Sequence, residues 1–209
     1  PAPAPVPESP SSIPPAAAAP IDAPASIRAA GDYPQFLGTD RNGTVTGIRL
    51  ADDWNAKPPR LLWRRPIGAG WSGFAVAGGV AVTQEQRGSR EMVVAYDLAT
   101  GVPKWSHGDD AHYESTIAGE GPRATPTISR GRVFTLGSTG LLNCLDLETG
   151  KAIWRRDIAA DNDSPPPEWG RSSSPLIVDD LVIVSAGGPS GGSLVAYQRE
   201  SGEPAWRAG

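Results

Sequence analysis

Apolar residues recur along this chain in pairs of short runs. Phe74-Ala75-Val76 precedes Val80-Ala81-Val82, Pro126-Thr127-Ile128 precedes Val133-Phe134-Thr135, and Pro175-Leu176-Ile177-Val178 precedes Leu181-Val182-Ile183-Val184. Runs of this length bounded by turn residues predict strands. The intervening Gly78-Gly79, Arg130-Gly131 and Asp179-Asp180 tolerate positive φ, so each pair should close as a hairpin. Gln84-Glu85-Gln86-Arg87 then places four polar residues in a strand-like stretch, either an exposed edge with a hairpin turn, the favoured reading, or a contribution to the channel mouth.

A third strand in each period runs into a polar turn and ends at a tryptophan. The segments are Val94 to Trp105, Asn143 to Trp154 and Val195 to Trp206, and Trp63, Trp105, Trp154 and Trp206 stand 42, 49 and 52 residues apart. A period of that size suits four strands per unit. Asp97 and Asp146 can accept backbone N–H groups in the turn, while Gly101, Gly150 and Gly202 supply its left-handed position. Each tryptophan opens the fourth strand or the next unit, where a large flat side chain can wedge between sheets. The pattern predicts an all-β fold, a β-propeller of four-stranded antiparallel blades.

Composition agrees with many short strands and tight turns: 25 Gly and 22 Pro in 209 residues. A net charge of −4 gives no basic footprint for nucleic acid. The single cysteine, Cys144, cannot form an intrachain disulfide or a zinc cluster. No apolar run reaches the roughly 18 residues of a membrane span. Residues 1–30, mostly Pro and Ala, read as a disordered spacer, 31–62 as a lead-in segment, and 63–209 as the blades. Such a spacer fits a periplasmic or extracytoplasmic protein, including a lipid-tethered one.

The module Ala-x-Asp-x-x-Thr-Gly-x-x-x-Trp resembles the PQQ-like propeller repeats of quinoprotein dehydrogenases and BamB-type outer-membrane assembly proteins. It is complete from Ala95 to Trp105, carries Cys144 in place of Ala up to Trp154, and carries Gln198 in place of Asp between Ala196 and Trp206. The lead-in Tyr33-Pro34-Gln35-Phe36-Leu37-Gly38-Thr39-Asp40-Arg41-Asn42-Gly43 also looks like the segment that opens many such propellers. The resemblance implies a closed ring of typically 4 to 8 blades. Three to four blades are expected here. The first residue, Pro1, and the last, Gly209, both read as cuts, so the chain is expected to be part of a larger ring, with poor solubility when expressed alone.

Several motif spellings carry little chemistry. Gly68 to Gly73 matches G-x-G-x-x-G, but a strand follows it where the phosphate-binding mechanism needs a helix. Gly188-Pro189-Ser190-Gly191-Gly192 spells a nucleophile elbow without its strand-to-helix context. Asp161-Asn162-Asp163 lacks the rest of a calcium loop and reads as a solvated loop, and His107 and His112 lack a third zinc ligand.

The loops before the first strand of each period should gather at one end of the ring. Trp71, Arg123, Trp169 and Arg171 on those loops are the candidate funnel for a small anionic or aromatic ligand. The competing expectation is that the tryptophans pack on neighbouring blades and the arginines pair with Glu114, Glu120 or Glu168.

The favoured reading is a non-catalytic scaffold with a protein partner in the cell envelope and no cofactor. One alternative is part of a PQQ-dependent alcohol dehydrogenase, with PQQ and Ca²⁺. The family's enzymes stack the quinone between a Trp and a vicinal Cys-Cys disulfide and use an Asp beside calcium, and no Cys-Cys occurs here. Another alternative is the sensor domain of a larger signalling chain.

Overall fold

The computed structural model describes residues 31–188 and 192–209. The expected spacer at 1–30, and Pro189, Ser190 and Gly191 of the elbow-like loop, lie outside the described residues. The first sheet joins β1 (Ala75–Ala77), β2 (Val80–Arg87), β3 (Arg90–Asp97) and β4 (Pro103–Asp109). A small hairpin of β5 (Glu114–Ser115) and β6 (Gly119–Glu120) leads to the second sheet. That sheet holds β7 (Thr127–Ser129), β8 (Arg132–Leu136), β9 (Leu141–Asp146) and β10 (Ala152–Asp157). One helical turn, α1 (Ile158–Asp161), precedes β11 (Leu176–Val178), β12 (Leu181–Ser185), β13 (Leu194–Gln198) and β14 (Pro204–Ala208) of the third. Each four-stranded sheet is antiparallel and follows chain order from a short first strand to the tryptophan strand. The fold is a partial β-propeller of three blades. No described helix is long and apolar enough to cross a membrane.

Strand alternation gives each blade two apolar faces. In the first blade Ala75, Val82, Ala95 and Trp105 stand side by side across the four strands. In the second, Thr127, Phe134, Cys144 and Trp154 occupy the same places. The first row packs on Ile128, Val133 and Leu145 of the second blade, and the second row packs on Val182, Val184, Val195 and Tyr197 of the third. The core is therefore two inter-blade layers, and no blade has a core of its own.

The tryptophans key these layers. Pairing slips by one residue just before each: Trp105 faces Ala95 but Pro103 faces Tyr96, and the same extra residue precedes Trp154 and Trp206. A bulge of this kind bends the strand and re-aims the side chain that follows. The indoles of Trp63, Trp105 and Trp154 each lie over the glycine of the next blade's turn. A Cβ on Gly101, Gly150 or Gly202 would sit 2.5, 2.5 or 2.7 Å from Cδ2 of Trp63, Trp105 or Trp154. Each Nε1–H donates to the carbonyl three residues before that glycine: Trp63 to Leu98 (2.8 Å), Trp105 to Leu147 (2.9 Å) and Trp154 to Arg199 (2.9 Å).

The sockets are set by the turns themselves. Asp97 accepts from the Thr100 N–H and hydroxyl at 2.9 and 2.7 Å, and Asp146 does the same with Thr149 at 2.8 and 2.6 Å. The Thr hydroxyl, then the Thr N–H, hold both carboxyls below their ordinary range. Gln198 lacks that carboxylate. The third turn keeps the Gly202 N–H to Gln198 carbonyl bond at 2.8 Å, and Arg199 pairs there with Asp180 and Glu200.

Two sequence expectations change. Gln84–Arg87 is not an exposed edge: it continues β2, and Gln84, Glu85 and Gln86 are buried. Short β1 leaves that part of β2 open, and the chain at Gly68–Gly70 fills the place through an Ala69–Gln86 bridge. Glu85 accepts from the Gly68 N–H and pairs with Arg87 at 2.7 Å. A Cβ on Gly68 would meet the Gln86 carbonyl, so close backbone approach explains that glycine of the G-x-G-x-x-G spelling. Asp161 ends α1 instead of a free loop, and its carboxylate binds the Arg156 guanidinium at 2.9 and 2.7 Å and the Tyr197 hydroxyl at 3.0 Å.

Gly150 and Gly131 both have positive φ, +71° and +74°, but only Gly150 faces an indole. Gly131→Ala should cost about 1 kcal/mol from backbone strain alone. Gly150→Ala adds the clash with Trp105 and should cost about 2–4 kcal/mol. Urea denaturation of the two variants checks the difference, and equal costs would contradict the socket.

Candidate functional site

The lead-in chain crosses the first strands of all three blades. Tyr33 exchanges two 2.8 Å backbone hydrogen bonds with Val76 in β1, and the Pro34 carbonyl accepts from the Ile128 N–H of β7 at 2.7 Å. Arg41 donates to the carbonyls of Pro175 and Ser174 beside β11, at 3.3 and 3.4 Å, and to Gln35 Oε1 at 3.2 Å. Between this strap and the loops before the first strands lies an open cavity of about 560 Å³. Tyr33, Phe36, Leu37 and Arg41 line it from the strap, Trp71, Gly73 and Phe74 from the first blade, Arg123 and Thr125 from the second, and Ser172–Ser174 from the third.

The structure thus brings Trp71 and Arg123 together on one cavity and places Trp169 and Arg171 elsewhere. Trp71 is 69% exposed, yet anchored: its N–H donates to the Pro122 carbonyl at 2.8 Å and its indole N–H to Ala118 at 2.6 Å. Arg123 donates to the carbonyls of Gly121 and Gly119 and stacks over the Tyr113 ring at 4.6 Å. Trp169 is half exposed on the neighbouring loop, whose Pro167 and Glu168 carbonyls accept from the Tyr113 hydroxyl. Arg171 is only 4% exposed and is spent on the Ala186 and Ser164 carbonyls and the Ser164 hydroxyl. It braces the third blade, and burial lowers its pKa.

Neither Arg41 nor Arg123 pairs with a carboxylate among the described residues, so Glu114, Glu120 and Glu168 are not their partners. Both guanidiniums hydrogen-bond neutral oxygens, and Arg123 also acts through space on the Glu91 carboxyl, whose pKa it lowers. Arg41 was missed by the strand pattern because it lies in the irregular lead-in. Its one signal was its place within the Tyr33–Gly43 segment that resembles the opening of such propellers.

A buried polar network underlies Arg123. Ser138 donates its N–H to Glu91 at 3.1 Å, while its hydroxyl donates to Gly121 at 3.0 Å and accepts from Arg123 at 3.4 Å. Glu91 faces Asp109 across β3 and β4, and Asp109 accepts from the Asn143 amide of the second blade at 2.7 Å. Burial pushes the Glu91 carboxyl up against the Ser138 N–H, and Asp109 raises it further. Burial also pushes Asp109 up, but the His107 imidazole, the Asn143 amide and the Arg155 charge outweigh it and hold Asp109 low.

A family model described as outer membrane protein assembly factor BamB, of the PQQ-repeat type, matches residues 89–209. The chain belongs to this family. An outer membrane protein assembly factor BamB of Shewanella oneidensis is 30% identical over 116 residues, covering 54% of this chain and 26% of the relative. The dehydrogenase subunit of a quinone alcohol dehydrogenase of Komagataeibacter europaeus is 30% identical over 131 residues, covering 56% of this chain and 17% of the relative. Among solved structures, the quinohemoprotein alcohol dehydrogenase of Comamonas testosteroni aligns with a TM-score of 0.59 at 22% identity, over 84% of this chain and 27% of that one. The chain spans about a quarter of the length of these relatives or less.

Within this PQQ-repeat chain the cavity wall offers an indole, two arginines and hydroxyl groups. Cys144, the chain's single cysteine, lies fully buried between the second and third blades, where burial pushes its thiol up to about 11. The residues on the cavity wall include no vicinal cysteines and no Asp, so they do not fit the disulfide-and-calcium arrangement that the resemblance implies for a PQQ enzyme.

Glu91 holds its proton to higher pH in the folded than in the unfolded protein. The folded state therefore binds more protons just above the unfolded Glu pKa of about 4.3, and stability declines as pH rises through that window. Glu91→Gln keeps an acceptor for Ser138 and removes the titration. It should flatten this decline and raise the urea midpoint at pH 8 relative to the parent, and a lowered midpoint at pH 8 would contradict the assignment.

Proposed function

We propose that this PQQ-like propeller is a non-catalytic scaffold of the cell envelope, periplasmic or otherwise extracytoplasmic, that binds a protein partner or ligand at the end of the ring carrying Trp71. The single observation that supports this reading is the pairing of a rigidly anchored, exposed aromatic with a cavity whose Thr125 and Ser174 are occupied by the fold. Thr125 and Ser174 are both engaged: the Gly73 N–H donates to Thr125 Oγ1 at 3.1 Å, and the Thr125 N–H to Ser174 Oγ at 2.9 Å. No nucleophile on the wall is held by a base. Ile117, 74% exposed, precedes the Ala118 whose carbonyl holds the Trp71 indole, and Trp169, 51% exposed, is a second exposed indole on the loop before the third blade. Rigid aromatics with satisfied polar ends are the side chains that most often anchor protein interfaces. The BamB relatives, named for outer-membrane assembly, add weight to a partner in that compartment.

The quinone dehydrogenase relatives support a second reading, part of a PQQ-dependent alcohol dehydrogenase whose quinone site would be made by residues other than those of this cavity wall. PQQ would bring the redox chemistry, and further residues would have to hold Ca²⁺. Full-length protein incubated with PQQ and Ca²⁺ should then show quinone absorbance and alcohol-dependent dye reduction.

The scaffold reading is tested by capture from envelope extracts with full-length protein under mild crosslinking. Trp71→Ala and Trp169→Ala together should reduce the recovered partner by about tenfold or more with an unchanged circular dichroism spectrum. Equal recovery with parent and variant, or PQQ-dependent turnover, would sink it.

A further inference from the structure

The polar side chains of the cavity wall are all groups that can donate: hydroxyls, guanidiniums and an indole, with no Asp, Glu, Asn, Gln or His among them. Thr125, Ser173 and Ser174 each accept a backbone N–H, from Gly73 at 3.1 Å, Ser185 at 3.3 Å and Thr125 at 2.9 Å. None of the three donates to an oxygen among the described residues, so each keeps its proton to give. A Cβ on Gly73 would stand 2.9 Å from Thr125 Oγ1, and glycine at that place leaves room for the hydroxyl.

Arg41 holds the largest unspent capacity on this wall. Its Nη1 donates to Gln35 and Pro175 and its Nη2 once, to Ser174. The Nε–H and the second Nη2–H make no bond among the described residues, and that edge of a guanidinium takes a carboxylate side-on through two parallel bonds. Arg41 is half-buried, burial lowers its pKa, and no carboxylate pairs with it among the described residues. Arg123 differs, because the Glu91 carboxyl lies behind it. A cation taken partly out of water without a counter-charge favours an anion that can reach it. The backbone is also held in the left-handed region at two strap residues that line the cavity, with φ of +63° at Leu37 and +53° at Arg41. Exposed Phe36, Trp71 and Phe74 make the wall apolar beside these donors.

We propose that the cavity under the strap binds an aromatic monocarboxylate, its carboxylate on the free edge of Arg41 and the hydroxyls of Thr125 and Ser174, its ring against Trp71 and Phe74. This rests on the reading of the Trp71 end as the binding end of the ring. Arg41 belongs to the strap, while Thr125 and Ser174 stand before β7 and β11, so the bound carboxylate ties the strap to two blades. A free acid and the carboxyl end of a polypeptide offer the same chemistry.

Calorimetric titration of full-length protein with phenylpropanoate and with phenylpropanamide tests the carboxylate. The acid should bind at least about tenfold more tightly than the amide, as expected where a charge-assisted pair forms. It should also slow hydrogen exchange at the Gly38, Arg41 and Gly43 amides of the strap by about tenfold and leave those of 103–109 unchanged. Arg41→Gln should abolish the preference for the acid, and Arg41→Lys, which keeps the charge and loses the fork, should reduce it. The preference in the parent protein decides the matter even if a variant loosens the strap. A tripeptide ending in phenylalanine distinguishes the sources: tighter binding than phenylpropanoate assigns a chain end, weaker binding a free acid, and both uphold the carboxylate. Equal affinity for acid and amide would overturn it and leave the Trp71 end as a binding end. Binding of neither would overturn it as well, and partner capture would then test the scaffold reading by itself.

Discussion

The fit of an indole onto a glycine is the constraint from which the rest of this structure follows. A four-stranded blade buries neither face alone, so stability has to come from the layer between blades. Burying an indole contributes on the order of 2–3 kcal/mol, and its hydrogen bond adds about 1. The dock also fixes register, because the glycine accepts the ring at one place only and the carbonyl accepts the N–H from one direction. The bulges before Trp105 and Trp154 and the Asp–Thr bonds of the Gly101 and Gly150 turns both serve this contact, one by aiming the ring and the other by holding the socket open.

Fixing neighbouring blades at their outer strands brings their inner strands together at one end. That end is where the lead-in chain straps β1, β7 and β11 and roofs the cavity with Tyr33, Phe36 and Arg41. Hydrogen bonds between blades continue the tie: the Gln84 amide donates to the Ala124 carbonyl at 2.7 Å, and the Thr127 hydroxyl to the Pro175 carbonyl at 2.6 Å. The cavity's geometry thus depends on docks far from it. Its arginines are held by backbone and side-chain oxygens, which suits a wall that binds better than one that reacts.

The strands, the turns and the repeat were legible from residue order because each depends on local signals: short apolar runs, positive-φ turn residues and a tryptophan at fixed distance from a glycine. What that glycine does for the tryptophan of the preceding blade was not legible, since the partners lie 38 to 48 residues apart. Gln84–Arg87 misled for a related reason. Polar side chains usually mark an edge, but here Glu85 and Gln86 are buried by the chain at Gly68–Gly70, a contact no strand pattern reports. Half of the expected funnel is on the cavity, and Arg171 shows why the other half was hard to read: its neighbours in space, Ser164 and Ala186, come from separate loops.

The dock itself is tested most directly by a double-mutant cycle on Trp154 and Gly202, read by urea denaturation. Gly202→Ala should cost clearly more in the parent than in the Trp154→Ala background, where only the strain of its +73° φ remains, about 1 kcal/mol. A coupling energy of at least about 1 kcal/mol is the expected result. Additive costs would show that indole and glycine do not depend on each other, and would contradict the account.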